Sequence, residues 1–246
     1  ERADLAQADL AAATGTVAGR GRIASFQSVA FHLAVPAMQA LSREAPGLRC
    51  ELVEAEPEWS LPALAIGDVD LVLADEWEHQ PLARLDGVAR EDILRDPVHV
   101  VLAADHPVLG RHDDAVPLAE LEGEAWTSGH HDTAWKSMIE RTCRELGRFE
   151  PDIRHRTNDA VLSMALVAGG QAVTLLPALV DPGSHPGFAV RPIAEGAVYR
   201  KILMATRAAD AERPSVRALR AAIRAAAVDV SAKLLAEDLT GDTEAR

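Results

Sequence analysis

The chain has 246 residues, 48% of them apolar and 26% charged, an ordinary balance for a soluble protein of one large or two smaller domains. Its formal net charge of −13 repels phosphate backbones, and no helix face clusters bases with aromatics between them, so the chain alone should bind neither DNA nor RNA. No apolar run approaches the roughly 18–20 residues that span a bilayer, and the acidic N-terminus is no signal peptide, so a cytoplasmic location is expected.

Residues 1–13 carry Leu5, Ala8 and Ala12 at helical spacing with no cap before them, and Thr14-Gly15 stops the stripe. They read as the end of a longer helix or as a separate docking helix. Gly21-Arg-Ile-Ala-Ser25 is a short strand that leads through Phe26-Gln27-Ser28 into an amphipathic helix ending near Arg43. Ala34, Ala37, Met38, Leu41 and Ala45 form its buried stripe. Pro36 either opens the main body of this helix or kinks a longer one. Cys50 to Glu54 is the next strand, a helix around Leu61 to Ile66 stops at Gly67, and Val69 to Leu73 is a third strand. Strands alternating with helices imply a parallel sheet, which binds ligands beyond the carboxyl ends of its strands. The corners Ser25–Ser28 and Glu56–Trp59 therefore lie on the binding edge.

Residues 96–190 repeat the scheme. Val98, Val100, Val101 and Leu102 make a strand, and Val116 to Leu121 a short helix. Trp126 closes another strand, and Thr127 to Asp132 is a polar corner opening a second long helix that buries Trp135, Met138, Ile139, Thr142 and Leu146. Asp152 to Arg156 is a strand. Thr157-Asn158-Asp159 caps a helix that ends at Gly169-Gly170, and Val173 to Pro177 is a buried strand. A strand from Val198 to Thr206 and a final helix from Pro214 return to the first half. Two lobes are expected, crossed near Arg95-Asp96 and Arg191-Pro192, with a ligand cleft between them. Cys50 and Cys143 read as buried, reduced thiols.

The pieces HLAVPAMQALSREAPGLRCELVE, ALAIGDVDLVLAD, VVLAADHPVLG and VAGGQAVTLLPALV, in this order, resemble the effector-binding region of LysR-type transcriptional regulators. The resemblance implies an α/β fold like a type II periplasmic binding protein, with two Rossmann-like lobes joined by two crossover segments. Residues 15–95 plus 192–236 would form lobe I and residues 96–191 lobe II. Residues 1–14 would end a linker helix, and residues 237–246 would be a flexible tail. It also implies a domain that senses a small organic effector, assembles as a homodimer or tetramer, and reaches DNA only through an N-terminal winged helix-turn-helix that is not in this sequence. Ala172 stands where many members have a glycine. Val29 and Pro57 stand where carboxylate-binding members often have Ser or Thr.

Phe26, Gln27, Ser28 and Val29 at the first corner, with Pro57 at the second, are the lobe I candidates for ligand contact. Thr127, Ser128, Gly129 and His130 open the corresponding helix of lobe II. Thr133 and Trp135 match family positions that line the cleft, and Asn158 follows on the next corner. Helix N-termini favour an anion. Each reading has a plainer rival: Ser28 as an N-cap, Trp135 as core, Asn158 and Asp159 as caps. Glu56 and Glu58 are either an acidic rim or solvated carboxylates. Dinucleotide, P-loop and nucleophile-elbow patterns are absent, so no enzyme, catalytic residue or cofactor is expected. His130-His131 lacks the spacing that aims two imidazoles at one metal. A solute-binding protein of a transporter, or an enzyme on the same scaffold, remain the alternatives.

Overall fold

The computed structural model describes residues 17–77, 80–184 and 187–241; the linker-helix reading of residues 1–14 lies outside them, as do residues 242–246 of the expected tail, while 237–241 end the last helix. In chain order, β1 (Ala18–Ser25) leads to α1 (Gln27–Val29), a π turn (Ala30–Ala34) and α2 (Val35–Glu44). Next come β2 (Gly47–Glu54), α3 (Pro57–Ile66), β3 (Leu71–Trp77) and the long β4 (Val88–Ala103). Then follow β5 (Ala125–Ser128), α4 (Ala134–Thr142), β6 (Asp152–Arg156), α5 (Ala160–Ala168) and β7 (Thr174–Pro177). The chain closes with β8 (Phe188–Arg191), β9 (Val198–Arg207) and α6 (Pro214–Gly241). No helix among the described residues is long and apolar enough to cross a membrane.

The chain divides into two compact units. In the first, strands run in the order β2-β1-β3-β9-β4, and β1 pairs in parallel with both β2 and β3. On one face Leu61, Ala63 and Leu64 of α3 join Ala24, Val72, Ala74, Leu203 and Ala205 in a core cluster. Elsewhere in the unit α2 packs on α6, and α6 on β1. The fit there is close: a Cβ on Gly21 would stand 3.0 Å from Leu219.

One buried carboxylate ties this unit together. Asp70, 1% exposed, accepts bonds from the backbone N–H of Arg22 at 2.9 Å and its Nε at 3.2 Å. Arg207 and Arg213 reach its other oxygen at 3.2 and 3.4 Å. Burial alone would raise this carboxyl; the bonds from Arg22, with the charges of Arg22 and Arg213, outweigh it and hold the group below its ordinary value.

In the second unit (Trp77–Pro81 and Asp96–Arg200) β4 pairs antiparallel with β7 and with β8, and β5 pairs in parallel with β6. Side chains alternate along β4. Val98, Val100 and Leu102 enter a core around the fully buried Trp126, while Val101 joins Met164, Val167 and Leu176 in another cluster. The unit boundary cuts β4 after Arg95 and β9 after Arg200. An ion pair joins the two ends. Arg200, 4% exposed, holds Asp96, 0% exposed, at 2.7 Å, and a buried guanidinium stays with its carboxylate. Asp96 also accepts the backbone N–H of Leu179 at 3.2 Å.

The first helix differs from expectation at its start. Phe26 is the N-cap, in extended backbone, and Ser28 sits inside the first turn rather than capping it. Pro36 falls just past the π turn. A proline ring collides with the carbonyl four residues earlier, and a widened turn immediately upstream relieves that collision.

Candidate functional site

The first corner is built by neighbouring strands. Ser25 of β1 and Glu54 of β2 are register partners, and the Ala55 N–H donates to the Ser25 carbonyl at 3.0 Å. The segments that follow them, Phe26–Val29 and Glu56–Pro57, thus leave adjacent parallel strands at their carboxyl ends. Phe26 and Pro57 are buried, Val29 is fully so, Ser28 is half-buried and Gln27 is exposed. Burial makes Val29 a core residue and leaves Gln27 and Ser28 as the reachable side chains. Neither N-cap residue, Phe26 before α1 or Glu56 before α3, makes a side-chain cap bond to its helix. An oxyanion placed there would meet helix-start amides and the positive end of the helix dipole.

The second unit treats its helix starts differently. Thr133 caps α4, its hydroxyl accepting the Lys136 N–H at 3.4 Å. Asp159 caps α5, accepting the N–H groups of Val161 at 2.8 Å and Leu162 at 3.1 Å. The N-cap residue is Asp159 and not Asn158, whose Oδ1 accepts the His130 N–H at 3.1 Å. The Thr133 hydroxyl also donates to the His130 carbonyl at 2.9 Å. Gly129, His130, Thr133 and Asn158 are therefore one hydrogen-bonded corner. Gly129 is required by space: a Cβ there would lie 2.3 Å from Thr133 Oγ1, 3.1 Å from Asn158 Oδ1 and 3.2 Å from the Trp135 ring.

Two candidates are placed differently from the sequence reading. Thr127 and Ser128 are not part of the polar corner; they are the last residues of β5, each 0% exposed. Backbone bonds hold both in place, although the Thr127 hydroxyl itself is buried without a partner among the described residues. The Thr127 N–H donates to the Val173 carbonyl at 3.1 Å, and the Ser128 hydroxyl donates to the Gly129 carbonyl at 3.0 Å. Trp135 is half-buried, and its indole N–H donates to the Leu175 carbonyl at 3.0 Å, so its ring is fixed rather than free to swing.

Ser25 was not singled out by its sequence. It is the last residue of β1, 0% exposed, and its hydroxyl donates to the Phe26 carbonyl at 3.2 Å. It is the counterpart of Ser128: each unit ends its strand with a buried serine bonded to the next carbonyl. Thr157 was expected only as part of a cap. It ties the end of β6 to the end of β5, its N–H donating to the Ser128 carbonyl at 2.9 Å while its hydroxyl accepts the Asp159 N–H at 2.9 Å.

Burial disfavours the thiolate form of both cysteines. Cys143 is fully buried and pushed up to about 12, by desolvation first and by the Glu150 charge second. Cys50 is half-buried, and burial raises it too.

Two α/β units with parallel strands running into helix starts define a ligand-binding α/β protein. The model of the LysR substrate binding domain matches residues 14–228, and the chain belongs to that family. The "Probable HTH-type transcriptional regulator LrrA" of Synechococcus elongatus is 26% identical over 179 residues, covering 73% of this chain and 57% of that protein. A "Hydrogen peroxide-inducible genes activator" of Escherichia coli O6:H1 is 26% identical over 167 residues, covering 68% and 52%. The chain thus spans about half the length of the curated relatives it matches. Among solved structures, the BenM effector binding domain with its effector benzoate superimposes with a TM-score of 0.69 at 21% identity, over 83% of this chain and 90% of that one. The fold is the two-lobe, type II periplasmic-binding-protein-like α/β fold expected from the sequence.

Proposed function

We propose that this chain is the effector-sensing part of a LysR-type transcriptional regulator. It takes a small organic anion and passes the resulting change to DNA-binding heads carried elsewhere in a longer protein. Family membership supports the role, and one observation carries the choice of an anion. Two helix starts of the first unit, at Phe26 and Glu56, follow adjacent parallel strands at their carboxyl ends, where two positive helix-dipole ends favour negative charge. Gln27 and Ser28 would contact the anion. Gly129, His130, Thr133 and Asn158 would form a second, rigid contact edge. The effector leaves unchanged, so the chain is not an enzyme, and it works in the cytoplasm without cofactor or metal. Val161 and Leu162 on α5, 67% and 52% exposed, support a homodimer that covers them. A solute-binding role is disfavoured because the curated relatives are regulators.

Melting curves against a library of small carboxylates test the reading. A ligand present at 100 times its Kd stabilises by about 2.7 kcal/mol, an upward shift of several degrees. Ser28→Trp should erase that shift while preserving the circular dichroism spectrum. Hydrogen peroxide should move nothing in the same assay, because peroxide sensing by a thiol needs an accessible thiolate. A library without any stabilising member, or a full response in Ser28→Trp, would sink the proposal.

A further inference from the structure

α3 is apolar on two sides. Leu61 and Leu64 enter the core of the first unit. Trp59, Pro62 and Ile66, spaced i, i+3 and i+7, share the opposite face. All three are exposed, Trp59 at 56% and Ile66 at 77%. Single exposed apolar residues are ordinary, but a stripe of three that includes a tryptophan marks a surface that is covered by something.

The charge around the stripe narrows what covers it. Between Arg49 and Arg84 the sequence holds no lysine or arginine. Glu54 and Glu58 at one end of α3, and Asp68 at the other, are exposed. Arg22 and Arg207 stand at the Asp68 end, bonded to the Gly67 and Leu64 carbonyls, but both pair with Asp70 and are a quarter exposed or less, so the exposed charge beside the stripe is acidic and disfavours an anionic lipid surface or a nucleic acid. A second copy presenting the same face would set Glu58 against like charge.

We propose that the Trp59–Pro62–Ile66 face docks an amphipathic helix of another protein. That helix carries bulky apolar residues at i, i+3 or i+4, and i+7, with lysines or arginines along both edges of the stripe. Its apolar side chains pack on Trp59 and Ile66, and its basic edges meet Glu58 and Asp68.

The test uses the full chain and a synthetic helical peptide with leucines at those positions and lysines beside them. Trp59 is its own reporter, since Trp77 and Trp126 are buried and Trp135 is held by the Leu175 carbonyl. Saturable binding with a blue shift of emission is expected, weakening as salt is added. Trp59→Phe should keep binding, read by peptide anisotropy, and lose the blue shift. Ile66→Lys should weaken binding at least tenfold, and Val161→Lys, on α5, should not. The same peptide with glutamates in place of lysines should not bind. Equal binding by the glutamate peptide, or unchanged binding to Ile66→Lys, overturns the proposal. So does self-association in sedimentation that Ile66→Lys abolishes, because a second copy would then occupy the face.

Discussion

Asp70→Asn is expected to cost about 3–5 kcal/mol of stability at neutral pH, the scale seen when one partner of a buried ion pair is removed. The Asp70 side chain is 2% exposed, and the three arginines around it are each about a quarter exposed or less. Asparagine keeps the volume and an acceptor oxygen but removes the charge. Arg22 would then face the Gly67 carbonyl at 2.7 Å, and Arg207 the Leu64 and Val69 carbonyls at 2.7 and 2.6 Å, without the anion that gathers them. These contacts join β1, the turn before β3, the end of β9 and the approach to α6. The whole first unit should therefore loosen. The sign of the pH dependence follows from the depressed carboxyl. Its contribution is fully present above the ordinary carboxylate range of about 4 and is lost as pH falls through the lower, folded-state value. Guanidinium melts at a series of pH values should show a smaller acid-side loss in Asp70→Asn than in the parent, the remainder coming from carboxyls such as Glu91 that are also held low. A neutral-pH difference below about 1 kcal/mol, the range of an exposed pair, would remove Asp70 from its central place.

Gly129→Ala should be the second large effect, about 2–3 kcal/mol, from overpacking together with the hydrogen bonds it dislodges. The new methyl would fall 2.3 Å from Thr133 Oγ1, well inside contact distance. Thr133 must then leave the His130 carbonyl, and α4 loses its cap. The Gly129 backbone is not in the left-handed region, so space alone decides the outcome. That makes rescue possible. Thr133→Ala alone should cost about 1 kcal/mol, the usual value of a lost N-cap. Added to Gly129→Ala, it should cost almost nothing, because the obstructing hydroxyl is already gone. A thermodynamic cycle with a coupling of at least about 1 kcal/mol is expected. Strict additivity would mean that the corner adapts without Thr133, and that its rigidity plays no part in recognition.

The alternation of strands and helices was legible because apolar periodicity and Gly or Asp punctuation agree along most of the chain. Asp159 before an apolar run announced its cap, and Gly67 its helix stop, here in the left-handed region. The first corner was read with a serine in the wrong place. Ser28 looks like an N-cap by residue type, yet the helix begins one residue earlier, with Phe26 as its cap. The serine that matches Ser128 is Ser25, hidden because a hydroxyl bonded to the next carbonyl can be buried like an apolar group. Ser128 looked like loop for the same reason, and Thr127 because a threonine whose hydroxyl is buried without a partner cannot be told from a solvated one in sequence. The π turns at Ala30–Ala34 and Cys143–Gly147 leave the apolar stripe intact and so leave no mark on the pattern. The Asp96–Arg200 pair joins residues more than a hundred positions apart, which local periodicity does not display.

That distant partnership also bears on how such a protein is inherited. The chain enters the body of the second unit at Asp96 and leaves it at Arg200, and those two residues clasp each other out of water. The unit is thus an insert whose two ends are already fastened side by side. A recombination event that exchanges residues 96–200 as a block keeps both halves of the clasp. One that swaps only one end strands a charge in the interior. Grafts of this unit between relatives should take when they carry both residues, which makes the clasp a natural seam for shuffling recognition halves.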